Sequence, residues 1–132
     1  MINKFVFLPP QSDLFAEWIP RLLDSAPGWD IAAPETEAEA KLELENADAA
    51  FGTMTPDLIA CAPNLRWLQA PAAAPDAGYY FDELIAHETK VTNFREIYND
   101  HISVQILTYI LSFTKHSHLY RDFQRAREWH PL

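Results

Sequence analysis

Short apolar runs alternate with amphipathic or helix-favouring stretches along the first 95 residues of the chain. The apolar runs predict five strands, at residues 5–8, 29–33, 47–51, 65–70 and 90–93. Helices are predicted from residue 12 or 13 onward, over residues 35–46, and over residues 55–61. Strands that alternate with helices at this spacing indicate an α/β fold, in which a parallel sheet has helices on both faces. A flavodoxin-like order of the five strands is the expected topology.

The first amphipathic stretch has apolar side chains at helical spacing and a proline among them. Its apolar face comprises Leu14, Phe15, Trp18, Ile19, Leu22 and Leu23. Pro20 has no N–H, and its ring clashes with the carbonyl group four residues earlier in a helix. We therefore expect Pro20 to kink or break this helix.

The chain from about residue 98 onward has helical periodicity but is apolar almost all round. One stripe comprises Ile102, Ile106, Tyr109, Ile110 and Phe113, and a second comprises Val104, Leu107 and Leu111. A helix of this kind must be covered on several sides, so we expect a second subunit to cover it and predict a homodimer. Another helix is predicted over residues 118–128. The sequence thus predicts a flavodoxin-like domain at residues 1–97 and a helical dimerisation arm at residues 98–132.

Composition and charge narrow the possible partners. The net charge of −9 argues against nucleic acid, since phosphate binding needs a basic surface. No apolar run approaches the roughly 20 residues that span a bilayer, and the N-terminal run is too short for a signal peptide. Cys61 is the single cysteine, which excludes an intramolecular disulfide and favours a reducing compartment. We therefore expect a cytoplasmic protein with neither a membrane nor a nucleic-acid partner.

The sequence also excludes several kinds of site. The chain has only Gly28, Gly52 and Gly78, so neither a dinucleotide-binding glycine motif nor a phosphate-binding P-loop is possible. Residues 9–12 read PPQS, and two prolines without N–H groups argue against the phosphate loop of a flavodoxin. The five histidines lack ligand spacing, so no metal site is expected. Cys61 lies between two alanines, which favours a small packed side chain over a nucleophile.

Three segments, in a fixed order and spacing, carry a family resemblance. Residues 65–76 read LRWLQAPAAAPD, residues 91–96 read VTNFRE, and residues 101–104 read HISV. Together they resemble the substrate-binding domain of D-isomer-specific 2-hydroxyacid dehydrogenases, and the resemblance extends over essentially the whole chain. It implies an NAD(P)-dependent oxidoreductase lineage that acts on 2-oxoacids and 2-hydroxyacids.

The resemblance also implies where a substrate binds. In the family, the turn corresponding to residues 72–76 helps to bind the substrate carboxylate through backbone N–H groups. The implied substrate-binding residues are Met54, Ala73, Ala74 and Pro75. The turn departs from the family pattern at two positions, since Ala74 stands where the family usually has glycine and Pro75 removes one N–H. An ordinary loop at the end of a strand is the alternative.

Further roles follow from the same resemblance. The implied hinge between domains comprises Asn93, Phe94 and Arg95, and the long helix that begins near His101 takes the place of the family's dimer interface. Val104 replaces a glutamate that is common in the family.

The catalytic Arg, Glu and His of the family and its cofactor loop correspond to no position within these 132 residues. The resemblance therefore implies a truncated or partial dehydrogenase, with no catalytic or cofactor-binding residue in this chain and no activity alone. NAD or NADP is the cofactor in the full-length family. A stand-alone flavodoxin-like dimeric module, used for binding or as a scaffold without catalysis, is the alternative. Either protein could bind a small 2-oxoacid carboxylate at the turn.

Overall fold

A five-stranded parallel sheet organises the first part of the chain in the computed structural model, which describes residues 3–132. Residues 1 and 2, with which the predicted first domain begins, lie outside the described residues. The strands are β1 (Asn3–Phe7), β2 (Trp29–Ala32), β3 (Ala49–Phe51), β4 (Trp67–Gln69) and β5 (Lys90–Thr92). Their spatial order is β2-β1-β3-β4-β5, and all neighbouring pairs are parallel. The predicted flavodoxin-like sheet is confirmed.

Four helices connect these strands: α1 (Asp13–Ser25), α2 (Glu37–Leu44), α3 (Pro56–Ile59) and α4 (Asp82–Ala86). α2 begins at a capping box, in which the Thr36 hydroxyl accepts from the Glu39 N–H and the Glu39 carboxylate accepts from the Thr36 N–H. α3 begins in a similar way, since the Thr55 hydroxyl accepts from the Leu58 N–H and Pro56 occupies the first helical position. These caps fix where the loop before each helix ends.

The core lies on one face of the sheet. Val6, Ala50 and Leu68 are paired across three adjacent strands, and all three are fully buried. Side chains from α2, α3 and α4 cover them, among them Ala40, Leu44, Leu58, Ile59 and Leu84. Burying a leucine of this kind contributes about 1.5–3 kcal/mol relative to exposure, so each of these leucines stabilises the fold substantially.

An aromatic cluster covers part of the opposite face. Phe7 and Phe51 point away from the core, and the Phe15 ring of α1 lies 5.2 Å from Phe7 and 5.3 Å from Phe51. Trp18 adds an edge contact of 5.9 Å to Phe51. Helices therefore lie on both faces, although no residue of α1 is fully buried.

α1 continues through Pro20 without interruption, so the predicted break of this helix is wrong. Proline removes one helical hydrogen bond, here the one that would reach the Ala16 carbonyl group. Both Pro20 and Ala16 are exposed, so water can hydrate that carbonyl group. The contacts of Phe15 and Trp18 with the sheet favour the continuous helix in spite of this loss.

Residues 96–132 form a second compact unit, separate from the unit of residues 3–95. It contains α5 (Asn99–Thr114) and α6 (Ser117–Ala126), which pack against each other. His116 joins them in a left-handed conformation, with φ of 52°, and the Phe113 ring lies 5.5 Å from His118. Along residues 3–132, no helix combines the length and apolarity needed to cross a membrane. The predicted boundary between residues 97 and 98 stays a prediction.

Candidate functional site

Four of the five strands, β1, β3, β4 and β5, end at paired positions, so the loops after them start at one edge of the sheet. Phe7 pairs with Phe51, Phe51 with Gln69, and Gln69 with Thr92, each at the last position of its strand. The loops after β3 and β4 consequently start side by side. In doubly wound folds this carboxyl edge is where ligands bind.

A cavity of about 290 Å³ opens between the loops after β3 and β4. Its lining consists of Thr53, Met54, Pro71, Ala72, Pro75, Asp76, Ala77, Gly78 and Tyr79. Of the predicted substrate-binding residues, the structure brings Met54 and Pro75 together on this lining. Ala73 and Ala74 belong to the same turn but lie outside the lining. The volume is close to the lower end of the range for small-molecule sites.

Tyr79 joins the two walls of this cavity. Its hydroxyl group donates a buried hydrogen bond of 3.0 Å to the Gly52 carbonyl, across 27 residues of sequence. Its N–H donates to the Asp76 carbonyl at 3.1 Å, which closes the turn after β4. Sequence reasoning did not identify Tyr79, because a single aromatic residue after a turn gives no periodic signal.

Gly52 is held where only a glycine fits. Its φ is +132°, and a Cβ atom added there would lie 2.9 Å from the Cβ of Leu8. Its N–H donates to the Gln69 carbonyl at 3.1 Å, which ties the end of β3 to the end of β4. Gly52 thereby sets the start of the loop that carries Thr53 and Met54.

Burial raises the pKa of Tyr79 to about 12, with a smaller contribution from the neighbouring Tyr80. The ordinary value is 10.0, so the phenol remains protonated in the folded chain where it would ionise in the unfolded one. Tyr79 therefore keeps its proton, and its hydrogen bond to Gly52, throughout the neutral range.

Replacing Tyr79 with phenylalanine is expected to lower the free energy of unfolding by about 1–2 kcal/mol at pH 7, since the Gly52 carbonyl loses its donor. The variant should also lose less stability than the parent chain between about pH 10 and 12, where the unfolded phenol ionises first. Urea denaturation across that range provides the measurement, with Tyr80→Phe as the exposed control. Identical pH profiles for parent and Tyr79→Phe would contradict this assignment.

The charges around the cavity are few. Asp76 is the charged member of its lining, which contains no lysine, arginine or histidine. Pro71 and Pro75 have no N–H group to offer an anion. Within residues 3–132, the N–H groups of Ala73 and Ala74 donate to no protein oxygen. The donors predicted for a substrate carboxylate are thus present beside the cavity rather than inside it.

The predicted hinge residues are tied to the same edge. The Asn93 side-chain oxygen accepts from the Arg95 N–H at 3.0 Å. The Phe94 N–H donates to the Ala72 carbonyl at 3.5 Å, and its ring lies 6.1 Å from Phe51. The first compact unit ends at Arg95, directly after these contacts. Whether the segment bends stays a prediction.

The predicted dimer-interface residues lie along α5 with most of their apolar surface uncovered. Their exposed fractions are 54% for Ile102, 54% for Ile106, 59% for Tyr109, 53% for Ile110 and 68% for Phe113. The second predicted stripe is exposed to a similar degree, so α5 contains no buried residue. Whether a second copy covers these side chains stays a prediction.

The described residues do not fit a dinucleotide. Gly28, Gly52 and Gly78 lie at three separate places, and none opens a helix after a strand. The loop after β1 contains Pro9 and Pro10, which have no N–H groups to offer a phosphate. Within residues 3–132, no three His, Cys, Asp or Glu side chains converge as metal ligands would.

Other cavities lie away from this edge, and two of them adjoin each other. A groove of about 820 Å³ is lined by residues at the amino ends of the strands, including Asp48, Arg66, His87 and Lys90. Asp48 and Arg66 form an ion pair of 2.8 Å there. An apolar cavity of about 260 Å³ adjoins it and shares Trp67. The groove is larger, but doubly wound folds bind ligands at the carboxyl edge, so the cavity beside Met54 remains the candidate site.

Solved structures with the same fold include D-isomer specific 2-hydroxyacid dehydrogenases. One from Aeromonas salmonicida subsp. salmonicida A449 is 23% identical, with a TM-score of 0.65 over 99% of this chain and 42% of that chain. A D-lactate dehydrogenase from Treponema pallidum is 20% identical, with a TM-score of 0.64 over 98% of this chain and 41% of that one. One from Xanthobacter autotrophicus Py2, in complex with NADPH and MES, is 19% identical. The TM-score is 0.68, and the match covers 100% of this chain and 42% of that chain.

These similarities confirm, for the fold, the family resemblance that was based on three segments of the sequence. The segments are residues 65–76, 91–96 and 101–104. The chain spans about 42% of the length of the structures that it matches. No protein-family model matches the sequence, and no curated protein matches it either.

Proposed function

We propose that the chain provides the substrate-binding part of a D-2-hydroxyacid dehydrogenase, an oxidoreductase that acts on 2-oxoacids and 2-hydroxyacids. The observation that carries this proposal is the cavity between Met54 and Pro75, at the carboxyl edge of a sheet whose fold is that of these dehydrogenases. Residues 72–76, for which the resemblance implies a carboxylate-binding turn, follow β4 at this same edge. The fold supports the dehydrogenase lineage, and the cavity supports a substrate-binding role for this chain.

The proposed substrate contacts come from the turn after β4. The N–H groups of Ala73 and Ala74 have no acceptor within the described residues, so they are available to a carboxylate. Hydrogen bonds to a charged group contribute about 1.5–3 kcal/mol each, before the cost of binding. Since Pro75 adds no N–H and no cation lines the cavity, we expect millimolar rather than micromolar affinity for a 2-oxoacid.

The reaction needs a hydride donor that these residues do not hold. The three glycines and the two prolines after β1 do not fit NAD or NADP. The family's catalytic Arg, Glu and His also correspond to no position in the chain. We therefore propose a partial dehydrogenase that binds substrate and has no activity by itself.

Mixing the purified chain with NADH or NADPH and with glyoxylate, hydroxypyruvate or pyruvate is expected to give no turnover above the blank. Absorbance at the nicotinamide band measures this directly. A full-length D-lactate dehydrogenase assayed beside it shows that the reagents are competent. Robust oxidation of the cofactor by the chain would overturn the proposed inactivity.

We further propose that α5 joins two copies of the chain. Eight large apolar side chains are exposed on this helix. Burying them against a second copy would stabilise a dimer by far more than polar contacts at the surface could. The stripe of Ile102, Ile106 and Ile110 recurs every four residues, which suits packing against a second helix. A homodimer through α5 accounts for this surface.

Substituting Ile106 with aspartate is expected to convert this dimer into a monomer, because it places a charge in the middle of the apolar stripe. Light scattering at several concentrations gives the mass. Leu42→Asp is the matched control, since Leu42 is also exposed but lies on α2. A parent chain that remains monomeric at high concentration would rule out the dimer.

A dimeric binding or scaffold module without catalysis is the second candidate, and the absence of any cation from the cavity lining favours it. Calorimetry with millimolar 2-oxoacids tests the binding that the first candidate requires and the second only allows. Heat of binding is compatible with both functions, and no heat would contradict the substrate-binding role and support the scaffold. The single Cys61 and the dehydrogenase lineage favour the cytoplasm as the location of either protein.

A further inference from the structure

The face of the sheet that α1 covers is open near the amino ends of the strands. The rings of α1 contact Phe7 and Phe51, which lie at the carboxyl ends of β1 and β3. Nearer the amino ends, cross-strand pairing places five residues in one row on this same face: Ile31, Phe5, Ala49, Trp67 and Lys90. Trp67 is 41% exposed, so a ligand can reach this part of the face.

An apolar cavity of about 260 Å³ lies between the end of α1 and this row. Its lining comprises Phe5, Leu22, Ala26, Trp29, Ile31 and Trp67, of which three are aromatic and none is charged. One turn of an α-helix, about 10 Å wide and 5.4 Å long, fills roughly 400 Å³, which is more than the cavity offers. A single aromatic ring fits, and aromatic walls favour it through stacked or edge contacts.

The larger groove at the amino ends of the strands continues from this cavity, since Trp29 and Trp67 line both. Lys90 lines the groove and lies beside Trp67 in the row. Within residues 3–132, the Lys90 ammonium group forms no ion pair. An uncompensated cation therefore adjoins an apolar cavity.

The other charges of the groove leave Lys90 as the group that an anion would meet at the cavity. Asp48 and Arg66 neutralise each other in an ion pair of 2.8 Å. Glu88 also lines the groove, but it precedes β5 and is not part of the row that contains Trp67. The apolar cavity and Lys90 together match a molecule with a ring at one end and a negative charge at the other.

We propose that the cavity and the groove form a second small-molecule site, which binds a monocarboxylate with an aromatic tail. The ring packs against Trp29 and Trp67, and the carboxylate pairs with Lys90. Since an exposed ion pair contributes little by itself, burial of the ring supplies most of the affinity and Lys90 selects the anion. The site lies at the opposite edge from the cavity beside Met54, so it does not depend on the proposed function. Pyruvate has no ring and is not a ligand of this kind.

Titrating the ¹⁵N-labelled chain with 3-phenylpropionate, 3-phenylpropionamide and 3-phenylpropylamine tests this inference through amide chemical shifts. The three compounds share a ring and a tail length but carry a negative, a neutral and a positive end. We expect the acid to bind about threefold more tightly than the amide and about tenfold more tightly than the amine. The largest shifts should be at Ile31, Trp67 and Lys90. Equal affinities, largest shifts on α5 or at residues 72–74, or no shifts at millimolar acid would overturn the inference.

Lys90→Glu is expected to weaken binding of the acid about fivefold and to change that of the amide less than about twofold. Lys115→Glu is the matched control, because it changes the net charge equally from an exposed position in the other compact unit. It should leave both affinities unchanged. Equal effects of the two variants on the acid would show that Lys90 does not hold the carboxylate.

Ala26→Leu tests where the ring lies. Ala26 directly follows α1, and a larger side chain there fills part of the apolar cavity, so binding of the acid and of the amide should both weaken about fivefold. Ala16→Leu makes the same change at an exposed position of α1 outside the cavity lining and should have no effect. Circular dichroism confirms that each variant folds. Undiminished binding of the acid by a folded Ala26→Leu variant would contradict the placement of the ring.

Discussion

Replacing Gly52 with alanine is expected to lower the free energy of unfolding by about 3 kcal/mol, from two separate costs. A non-glycine residue with φ of +132° is strained. In addition, the new methyl group would lie 2.9 Å from the Cβ of Leu8, a side chain that is 1% exposed and cannot move aside. Urea denaturation at fixed protein concentration measures the loss.

Gly78→Ala is the matched control for this prediction. Gly78 has φ of +92°, so alanine is strained there too, but a Cβ atom meets nothing within 4 Å. Its expected cost is about 1 kcal/mol, the backbone contribution alone. Equal losses at both glycines would show that the close approach of Leu8 to Gly52 does not exist. The Gly52 variant should also disturb the Tyr79 hydrogen bond and with it the cavity.

Truncating Leu44 to alanine is expected to cost about 2–5 kcal/mol, the range for a buried leucine that leaves a cavity behind. Leu44 is fully buried and lies in the core cluster under the sheet. Leu42, two residues earlier on the same helix, is 68% exposed. The two substitutions are chemically identical and lie on one helix, so most of their difference reports burial.

Leu42→Ala should change the free energy of unfolding by less than about 0.5 kcal/mol, as is usual for surface positions. Thermal and urea denaturation of both variants give the comparison. If Leu42→Ala proved the more costly of the two, α2 would have to present its other face to the sheet. The assignment of the core to Val6, Ala50 and Leu68 would then be wrong as well.

The fold was largely predictable because its strands are apolar runs separated by turns. Each predicted strand overlaps an observed one, and the parallel order follows from the crossovers. α4 was missed because its five residues are too few to show helical periodicity. The break at Pro20 was wrongly predicted because local propensity takes no account of the aromatic packing of Phe15 and Trp18.

The candidate site was only partly predictable. The resemblance selected Met54 and Pro75 as members of one site, and the structure places both on one cavity. The role of Tyr79 could not be predicted from the sequence, because it depends on a hydrogen bond to a residue 27 positions away. The charge of the lining could not be predicted either, since it depends on which side chains the two loops bring together.

The measurement that tests the central claim most directly is a titration of the ¹⁵N-labelled chain with pyruvate, followed by amide chemical shifts. We expect the largest changes at Thr53, Met54 and the turn of Ala72–Ala74, with His87 and Glu88 in the groove at the opposite edge unchanged. Largest changes in that groove, or no changes at saturating pyruvate, would contradict the assignment of the substrate site to the carboxyl edge of the sheet.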